Sequence, residues 1–481
     1  MNIVQKVWCR TYQTVFRIAL PILPYTEPKI AHSVDDIAPI LKQKKITAVL
    51  LVTDPGIAKL GLAKPLERSL AAAGIDCAVY ANVQANPTVA NVEEAAALYR
   101  KHSCRAIVGF GGGSAMDCAK GVGARIAQPH KPINKMRGLL RIHRPLPYLI
   151  AVPTTAGTGS EVTLAAVITD GETHYKYPIN DFVLIPRMAV HDPALTCGLP
   201  PAITGQTGMD ALTHAVEAYI GRSTNAYTRT AAKRAVCLIH DNLMCAYEHG
   251  DNVEARANML EAAYQAGIAF TRSYVGYVHG IAHSLGGQYG IPHGFANAVI
   301  LPHMLRAYGE HAERKLAELA RAAGIAPDAS KDKHAAEAFI AWVDEMNEQL
   351  GIPRFIDGIR AADVPTMAAH AAAESNPLYP VPKLMDANEL AEMYRVVAGG
   401  EFADEHADEH ATGFAADERS CEFAVTECAS DRVVSAPSAN GTAAPAQVTA
   451  AESAANAPAP VASASAVTAE RGATRPSLSP R

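Results

Sequence analysis

Short, uninterrupted apolar runs alternate with amphipathic stretches in the first part of the chain, and this pattern predicts a parallel sheet covered by helices. The runs are rich in Val and Ile, as expected of strands that are buried on both faces. Between two of them, residues 89–102 have apolar positions at helical spacing with charged positions opposite. The alternation is typical of a doubly wound α/β domain. The predicted strands are residues 46–53, 77–80, 105–110, 148–153 and 183–186.

The pattern changes twice further along the chain. From residue 197 to 400 the sequence is rich in Ala and favours helices, with Gly and Pro as punctuation. Beyond residue 400, Ala, Ser and Pro dominate and large apolar residues become rare, so burial cannot offset the entropy lost on ordering. We therefore predict an α/β plus all-α fold, with an α/β domain over residues 1–196, an all-helical domain over 197–400 and a disordered tail over 401–481.

Composition narrows the class of protein and its compartment. Hydrophobic residues make up 49% of the chain and the formal net charge is -5, which gives no reason to expect nucleic acid or an anionic membrane as partner. The nine cysteines are scattered and contain no C-x-x-C pair, which suits reduced thiols. The apolar segment near the N-terminus is interrupted by prolines and is too short to span a bilayer. We expect a cytoplasmic protein without a secretory signal.

Two loops follow predicted strands, at the edge where open α/β sheets bind ligands. In "VTDPG", the Asp54 carboxylate can accept hydrogen bonds from a ribose diol and would repel a 2′-phosphate, which favours NAD over NADP. An aspartate in a simple turn explains the same residues equally well. In "GFGGGSAMDCAK", residues 109–120, the glycines allow a pyrophosphate to approach the start of a helix. Ser114 stands where the Rossmann pattern has its last glycine, and it could instead be the N-cap of that helix.

A third loop strengthens the nucleotide hypothesis. The stretch "PTTAGTGSEVT", residues 153–163, offers the hydroxyls of Thr154, Thr155 and Thr158, while Gly157 and Gly159 allow a ligand to approach closely. A hydroxyl-rich turn without a ligand is the alternative for this loop taken alone. Three such loops at one edge of one sheet make a Rossmann-like dinucleotide-binding domain the better interpretation.

Histidines cluster in the second half of the chain. Asp210 and His214 are four residues apart in a predicted helix, and His279 and His283 repeat that spacing, so each pair shares a helix face. His293 follows a proline in a predicted turn. One carboxylate and several imidazoles suit Zn(II) or Fe(II), whereas histidines on helix faces without a metal are the alternative. The spacing leaves open which histidine is free for proton transfer.

These motifs together resemble the iron-containing (group III) alcohol dehydrogenase family. The resemblance covers roughly residues 40 to 400. It rests on "GGGSAMDCAK", "PTTAGTGSEVT", "GMDALTHAVEAY" and "VHGIAHSLGGQYGIPHGFANAVILPH", which occur in the order and spacing of the family. The resemblance implies an N-terminal dinucleotide domain, a C-terminal helical metal-binding domain and an active site in the cleft between them.

The resemblance also implies a role for individual residues. The metal ligands would be Asp210, His214, His279 and His293, while His283 matches a catalytic histidine that is not a ligand. Phe270 matches a position that lines the substrate cleft. The positions that match cofactor contacts are Asp54, Asn86, Gly112, Gly113, Ser114, Asp117, Thr154, Thr155, Thr158 and Lys176.

The implied activity is that of a metal-dependent, NAD(H)-linked alcohol dehydrogenase or aldehyde reductase acting on small alcohols or diols. We expect one divalent ion, Fe(II) with Zn(II) as the alternative, and a homodimer or larger homo-oligomer. A glycerol dehydrogenase-like enzyme for polyols or hydroxy acids is the alternative on the same fold. A metal-dependent lyase or hydrolase, and a non-enzymatic core tethered by its tail, are the alternatives from other classes.

The sequence departs from the family pattern in two places. Before residue 40 it lacks the Gly-rich hairpin with which many members begin, and that hairpin contributes to subunit pairing in some of them. Tyr274 and Tyr277 stand where many members have small residues, which predicts a narrower substrate cleft.

Overall fold

The computed structural model describes residues 1–171 and 176–402 of the chain. Nearly all of the predicted disordered tail, from residue 403 to 481, lies outside the described residues. Within them, no helix combines the length and apolarity needed to cross a bilayer. The strands are β1 (Lys29–Ala31), β2 (Ala48–Val52), β3 (Asp76–Tyr80), β4 (Ala106–Gly111), β5 (Gly138–Leu139), β6 (Tyr148–Pro153), β7 (Ala165–Thr169), β8 (Lys176–Asn180) and β9 (Met188–Val190).

Six of these strands form a parallel sheet in the order β1-β9-β6-β4-β2-β3. Every residue of β2 and of β4 is buried, as the apolar runs predicted. Neighbouring residues of β2 belong to different cores: Leu50 packs in one cluster and Leu51 in another, because successive side chains of a strand point to opposite faces. The predicted class of fold, a parallel sheet with helices on both faces, is confirmed.

Helices from the first half cover the two faces of this sheet. Leu51 shares its cluster with residues of α2, α3 and α4, and Leu50 shares its cluster with residues of α5 and α6. The prediction of a helix over residues 89–102 is confirmed by α5. The bounds are α2 (Ile37–Gln43), α3 (Pro55–Leu60), α4 (Lys64–Ala72), α5 (Val89–Lys101) and α6 (Gly113–Ala127).

The strand predicted at residues 183–186 is wrong. Residues Phe182–Leu184 form a 3-10 turn, because the Asp181 carboxylate accepts a hydrogen bond from the Val183 N–H and starts the turn. The strand comes later, at β9, which pairs with β1 and β6. A second sheet of β5, β8 and β7, which the apolar runs did not reveal, packs beside the first.

The second half of the chain is helical, as predicted. Its central helix, α7, is buried along nearly its whole length and packs against α8, α9 and α11. Burial on all sides places α7 in the middle of the helical half, so its few polar side chains are buried as well. The bounds are α7 (Pro201–Ile220), α8 (Ala226–Glu248), α9 (Val253–Ser273), α10 (Tyr277–Tyr289), α11 (His293–Tyr308), α12 (Glu310–Ala322), α13 (Asp332–Gln349), α14 (Val364–Ser375) and α15 (Ala387–Val397).

A further helix, α1 (Ile3–Ala19), occupies the N-terminal segment in which the sequence showed no Gly-rich hairpin. It lies against the helical half, where Arg10 donates hydrogen bonds to the carbonyl groups of Val381 and Pro382. The N-terminal residues thus contact the end of the helical half, more than 300 positions away, so the sequence halves interlock at this point.

Candidate metal centre and nucleotide cleft

Four of the predicted ligands meet at one point. Asp210 and His214 lie one turn apart on α7, His279 lies on α10, and His293 is the first residue of α11. Each offers one ligand atom, and these atoms all lie within 4.8 Å of one another. The i,i+4 spacing puts Asp210 and His214 on the same face of α7, and α11 packs across that face.

The chemistry of these four side chains fits a divalent metal ion. The Asp210 Oδ1 atom lies 3.8 Å from His279 Nε2 and 3.6 Å from His293 Nε2, distances too long for hydrogen bonds. Burial lowers the pKa of His214 to about 4 and that of His279 to about 3, so both rings stay neutral and keep a lone pair for a ligand bond. Three neutral imidazoles and one carboxylate form a donor set suited to Fe(II) or Zn(II).

A buried carboxylate that the sequence reasoning missed orients one of these ligands. Glu217, on α7, accepts hydrogen bonds from His279 Nδ1 at 2.7 Å and from the backbone N–H groups of Gly276 and Val278, both at 2.8 Å. This contact assigns the His279 proton to Nδ1, which leaves the Nε2 lone pair facing Asp210. Gly276 is required there, since a Cβ atom at this position would lie 2.6 Å from the Glu217 carboxylate.

Asn297, also missed, lies one turn after His293 on α11. Its Nδ2 atom donates to Asp210 Oδ1 at 2.7 Å and lies 3.2 Å from His279 Nε2 and 3.1 Å from His293 Nε2. An amide NH₂ group only donates, and its two hydrogens can serve Asp210 and one of the two histidine nitrogens, each of which then acts as an acceptor. The i,i+4 spacing from His293, and the position of Glu217 inside a quoted motif, were the sequence signals that could have found these two residues.

His283 stands beside the four-residue cluster without being part of it. Its Nδ1 atom lies 2.6 Å from Glu374 Oε1 on α14, and its ring stacks on that of His293 with the centroids 5.2 Å apart. The Tyr379 hydroxyl donates to the same Glu374 oxygen at 2.6 Å. Although burial raises the pKa of Glu374, the contacts with His283 and Tyr379 outweigh it and hold that pKa below its ordinary value.

No sequence signal pointed to Glu374, which is 91 residues from His283. The contact depends on a close approach of α14 to α10 at Gly280. A Cβ atom there would lie 2.4 Å from the Ser375 hydroxyl oxygen, so a larger residue would push α14 away and move Glu374 from His283.

Aromatic residues line the helical side of this cluster. The Phe270 ring stacks on His214 with a centroid distance of 4.1 Å. Tyr274 has a backbone φ of 59°, rare for a large residue, and its ring lies 6.3 Å from that of Tyr379. Tyr277 is wholly buried and its hydroxyl contacts Asn376 and Met385, so it fills the core, contrary to the prediction that it narrows the cleft.

The first two predicted nucleotide loops meet at the carboxyl ends of β2 and β4. Asp54 caps α3 by accepting from the Ile57 N–H at 2.9 Å, and its other carboxylate oxygen lies beside Gly111. One Asp54 oxygen therefore serves the turn, as the alternative interpretation has it, and the other oxygen is not used by the turn. Ser114 is not the N-cap of α6: Gly112 is, and the Ser114 hydroxyl donates to the Ala85 carbonyl instead.

Because glycine has no capping side chain, the N–H groups in the first turn of α6 remain available to an anion. The helix begins at Gly113, where a Cβ atom would lie 2.8 Å from Thr158. Gly112 lies next to Thr155, since a Cβ atom at position 112 would lie 3.5 Å from Thr155 Oγ1. The glycine loop and the threonine loop thus form one surface.

The remaining predicted contacts fall into two groups. Thr154 is buried, and its N–H donates to the Gly111 carbonyl. Asp117 lies beneath the loops, where its oxygens accept from the Ser160 hydroxyl at 2.7 Å and from the Val167 N–H at 2.9 Å. Both of its oxygens are therefore engaged within the protein, an arrangement that supports the loops from below.

Asn86 and Lys176 lie between the loops and the metal centre. Lys176 donates from Nζ to Asn86 Oδ1 at 3.0 Å. Burial lowers the pKa of Lys176, while Asp117, Glu374 and Asp210 each favour its charged form. The Lys176–Asn86 hydrogen bond thus joins the start of β8 to the segment that follows β3.

Close contacts between backbone segments fix the threonine loop against the helical half. At Gly157 a Cβ atom would lie 2.7 Å from Thr207, and at Gly159, with φ of +60°, it would lie 2.9 Å from the Ala263 carbonyl oxygen on α9. The loop that faces the glycine loop therefore also touches α7 and α9. The arrangement leaves little freedom for the loop to move relative to Asp210 and His214.

Comparison with known proteins agrees with this geometry. The family model described as iron-containing alcohol dehydrogenase matches residues 30–193, and that of the C-terminal part of the Fe-containing alcohol dehydrogenase family matches residues 204–397. A 1,3-propanediol dehydrogenase of Klebsiella pneumoniae is 39% identical over 79% of this chain and 98% of its own length.

A second relative and a solved structure extend the comparison. An NAD-dependent methanol dehydrogenase of Bacillus methanolicus is 34% identical over 72% of this chain and 92% of its own length. A crystal structure of a 1,3-propanediol oxidoreductase superposes with a TM-score of 0.75 at 37% identity, covering 78% of this chain and 99% of that one.

Replacing Glu217 with Gln tests its role in holding His279. We expect the affinity for the metal to fall by about 10- to 100-fold, because the amide cannot accept from His279 and two backbone N–H groups as the carboxylate does. Competition with a chelator, followed by elemental analysis, measures this. Glu374→Gln is the matched control, since its histidine is not among the four ligands, and it should retain the metal. Equal retention by the two variants would contradict the assignment.

Proposed function

Because this chain belongs to the iron-containing alcohol dehydrogenase family, we propose that it interconverts small alcohols or diols and their aldehydes by NAD(H)-linked hydride transfer. The observation that carries the proposal is the convergence of Asp210, His214, His279 and His293 next to a fifth polar side chain, His283, that is tied to a different carboxylate. A metal site with a separate proton-transfer group beside it suits alcohol oxidation.

Asp210, His214, His279 and His293 would hold the metal, for which we propose Fe(II), with Zn(II) as the alternative. A divalent ion at this point supplies Lewis-acid polarisation of the substrate oxygen. Glu217 keeps the His279 lone pair directed at the ion, and Phe270, stacked on His214, keeps water from one side of the cluster. These side chains orient the substrate oxygen relative to the nucleotide loops.

NAD(H) bound at the three loops supplies the exchangeable hydride. The free N–H groups at the start of α6 bind the pyrophosphate, and the threonine hydroxyls of the third loop contact the rest of the cofactor. The Asp54 oxygen beside Gly111 accepts from the ribose diol and disfavours a 2′-phosphate. Asn86 and Lys176 complete the cofactor side of the cleft, and Asp117 supports the loops.

His283 carries the proton. Its Nδ1 atom is hydrogen-bonded to Glu374, so Nε2 is the nitrogen left to give or take a proton on the side of the cleft. The Glu374 carboxylate accepts from Nδ1 and so fixes the orientation of the ring.

The wider organisation remains part of the proposal. We assign cofactor binding to residues 1–196 and metal binding to residues 197–400, and we propose a cytoplasmic homodimer or larger homo-oligomer. The glycerol dehydrogenase-like alternative predicts turnover of glycerol or hydroxy acids in preference to simple alcohols. A lyase or hydrolase predicts no change in nicotinamide absorbance with any alcohol or aldehyde. If the protein is instead a non-enzymatic core that its tail tethers to a partner, deleting the residues after 400 should abolish its function.

Replacing His279 and His283 separately tests the division of roles. His279→Ala should lose the metal and the activity together, because it removes a ligand. His283→Ala should keep the metal and lower kcat by about 100-fold, the usual contribution of a positioned acid or base. Metal analysis and steady-state kinetics with NADH and small aldehydes measure both. A metal-free His283 variant beside a metal-replete His279 variant would reverse the assignment.

Replacing Glu374 with Gln tests the orientation of His283. We expect kcat to fall by roughly tenfold while the KM for the alcohol and the metal content stay unchanged, because only the proton-transfer group is disturbed. Tyr379→Phe removes one of the two hydrogen bonds to that carboxylate and should cause a smaller loss. A rise in KM without a change in kcat would point to a role in substrate binding instead.

Replacing Asp54 with Asn tests the preference for NAD. The amide oxygen can still cap α3, so the thermal unfolding midpoint should stay near that of the unmodified protein. Loss of the negative charge should raise kcat/KM for NADPH relative to NADH by about tenfold, since like charges no longer face each other. An unchanged ratio would place the ribose away from Asp54.

A further inference from the structure

The N-terminal helix α1 carries six of the seven most exposed large apolar side chains in the described part of the chain, the seventh being Ile22 just after the helix. Between 59% and 74% of the surface of each of the six is accessible. Other exposed large apolar side chains on the rest of the described chain, from residue 30 onward, reach at most 55%. We name as the apolar stripe the six residues Ile3, Val4, Val7, Trp8, Val15 and Ile18.

The stripe is continuous along the helix. At 100° per residue its six members fall within one face of α1, with Thr11 and Thr14 filling the gaps between them. This contiguity separates the stripe from the scattered apolar residues found on any protein surface, because a contiguous patch of this kind marks an interaction site.

The opposite, more polar face of α1 is the one that contacts the protein. Cys9 and Gln13 are buried there, and Gln13 donates to the carbonyl groups of Pro377 and Tyr379. Arg10 donates to two further carbonyl groups, and the terminal amino group pairs with Asp386. A helix that only completed the core of the protein would bury its apolar face. Here polar contacts hold the helix in place and the apolar face points outward.

Charge identifies the partner. Residues 1–26 contain Lys6, Arg10 and Arg17 and no acidic residue, although the whole chain has a formal net charge of -5. Lys6 and Arg17 are exposed and lie along one border of the apolar stripe. Trp8 packs near Tyr12, with ring centroids 6.4 Å apart, and such amphipathic aromatic residues favour the boundary between lipid and water.

A second copy of this chain fits the stripe less well. Two stripes facing each other would bring like charges together. A face about 26 Å long and about 10 Å wide covers roughly 260 Å², about a third of the ~800 Å² that each partner buries in a stable complex.

We propose that the apolar stripe docks on the surface of a bilayer that contains anionic phospholipids. The stripe enters the boundary between headgroups and acyl chains, and Lys6 and Arg17 contact the anionic headgroups. The expectation of no membrane partner came from the charge of the whole chain, whereas this helix has the opposite charge. The binding is peripheral and does not depend on the dehydrogenase assignment.

Trp8 provides a direct probe, because the chain has only one other tryptophan, Trp342. The full chain with Trp342→Phe is titrated with phosphatidylcholine vesicles with and without phosphatidylglycerol, while Trp8 emission and co-sedimentation are recorded. We expect a blue shift and saturable co-sedimentation with the anionic vesicles, and weaker binding with neutral vesicles or at high salt. Absence of both signals with anionic vesicles would overturn the proposal.

Val7→Glu/Ile18→Glu, in the same background, should weaken vesicle binding by at least about tenfold. Val253→Glu is the matched control, because Val253 is also exposed but lies outside the stripe, and it should bind as before. Equal binding by both variants would overturn the proposal. If the first variant fails to fold by circular dichroism, Lys6→Glu/Arg17→Glu leaves the stripe intact and should selectively weaken binding to anionic vesicles.

Sedimentation equilibrium tests whether a second copy of this chain, and not a bilayer, covers the apolar stripe. If Trp8 emission is already blue-shifted without lipid, and Val7→Glu/Ile18→Glu dissociates an oligomer, a second copy covers the stripe and the lipid proposal falls. An oligomeric state unchanged by the substitutions, together with lipid-dependent emission, supports the bilayer.

Discussion

The hydrogen bond between the buried Glu217 carboxylate and His279 Nδ1 is the contact on which the metal centre depends. It fixes the ring and its proton, so that Nε2 faces Asp210 and the other ligands. The same carboxylate accepts from the backbone at the start of α10, which sets where that helix begins relative to α7. Glu217 thus sets both the position of α10 and the direction of the His279 Nε2 lone pair. The carboxylate fits there because residue 276 is a glycine and has no Cβ atom.

A second carboxylate gives the neighbouring histidine a different task. His279 and His283 share one face of α10, yet the first is wholly buried beside Glu217 and the second is partly exposed beside Glu374. The buried ring presents its free nitrogen to the ligand cluster, and the exposed ring keeps its free nitrogen for the cleft. Two similar pairs in different surroundings can therefore serve metal binding and proton transfer within one helix.

The distance between the nucleotide loops and the metal centre is fixed by close backbone contacts. The threonine loop touches α7 and α9 at two glycines, while Asp117 ties it to α6 from below. Hydride transfer requires the reacting atoms to be held within a narrow range of distance, and a rigid loop between the two halves provides that. The N-terminal helix α1 is held through its more polar face, by the hydrogen bonds of Arg10 and Gln13 together with the buried Cys9, which leaves its apolar face exposed.

The sequence by itself determined the elements and the chemistry that depend on local spacing. Apolar runs revealed β2, β3, β4 and β6 but neither β1, β9 nor the second sheet, and at residues 183–186 the Asp181 side chain starts a turn instead of a strand. The i,i+4 pairs placed the ligands on common helix faces, but that spacing is the same for a ligand and a free histidine. Only the tertiary structure gave the two histidines different surroundings, because it groups His279 with Asp210, His214 and His293 and brings Glu374 to His283 from a helix 91 residues away. It also decided which face of α1 is exposed, since periodicity reveals an apolar face but not the surface that the helix packs against.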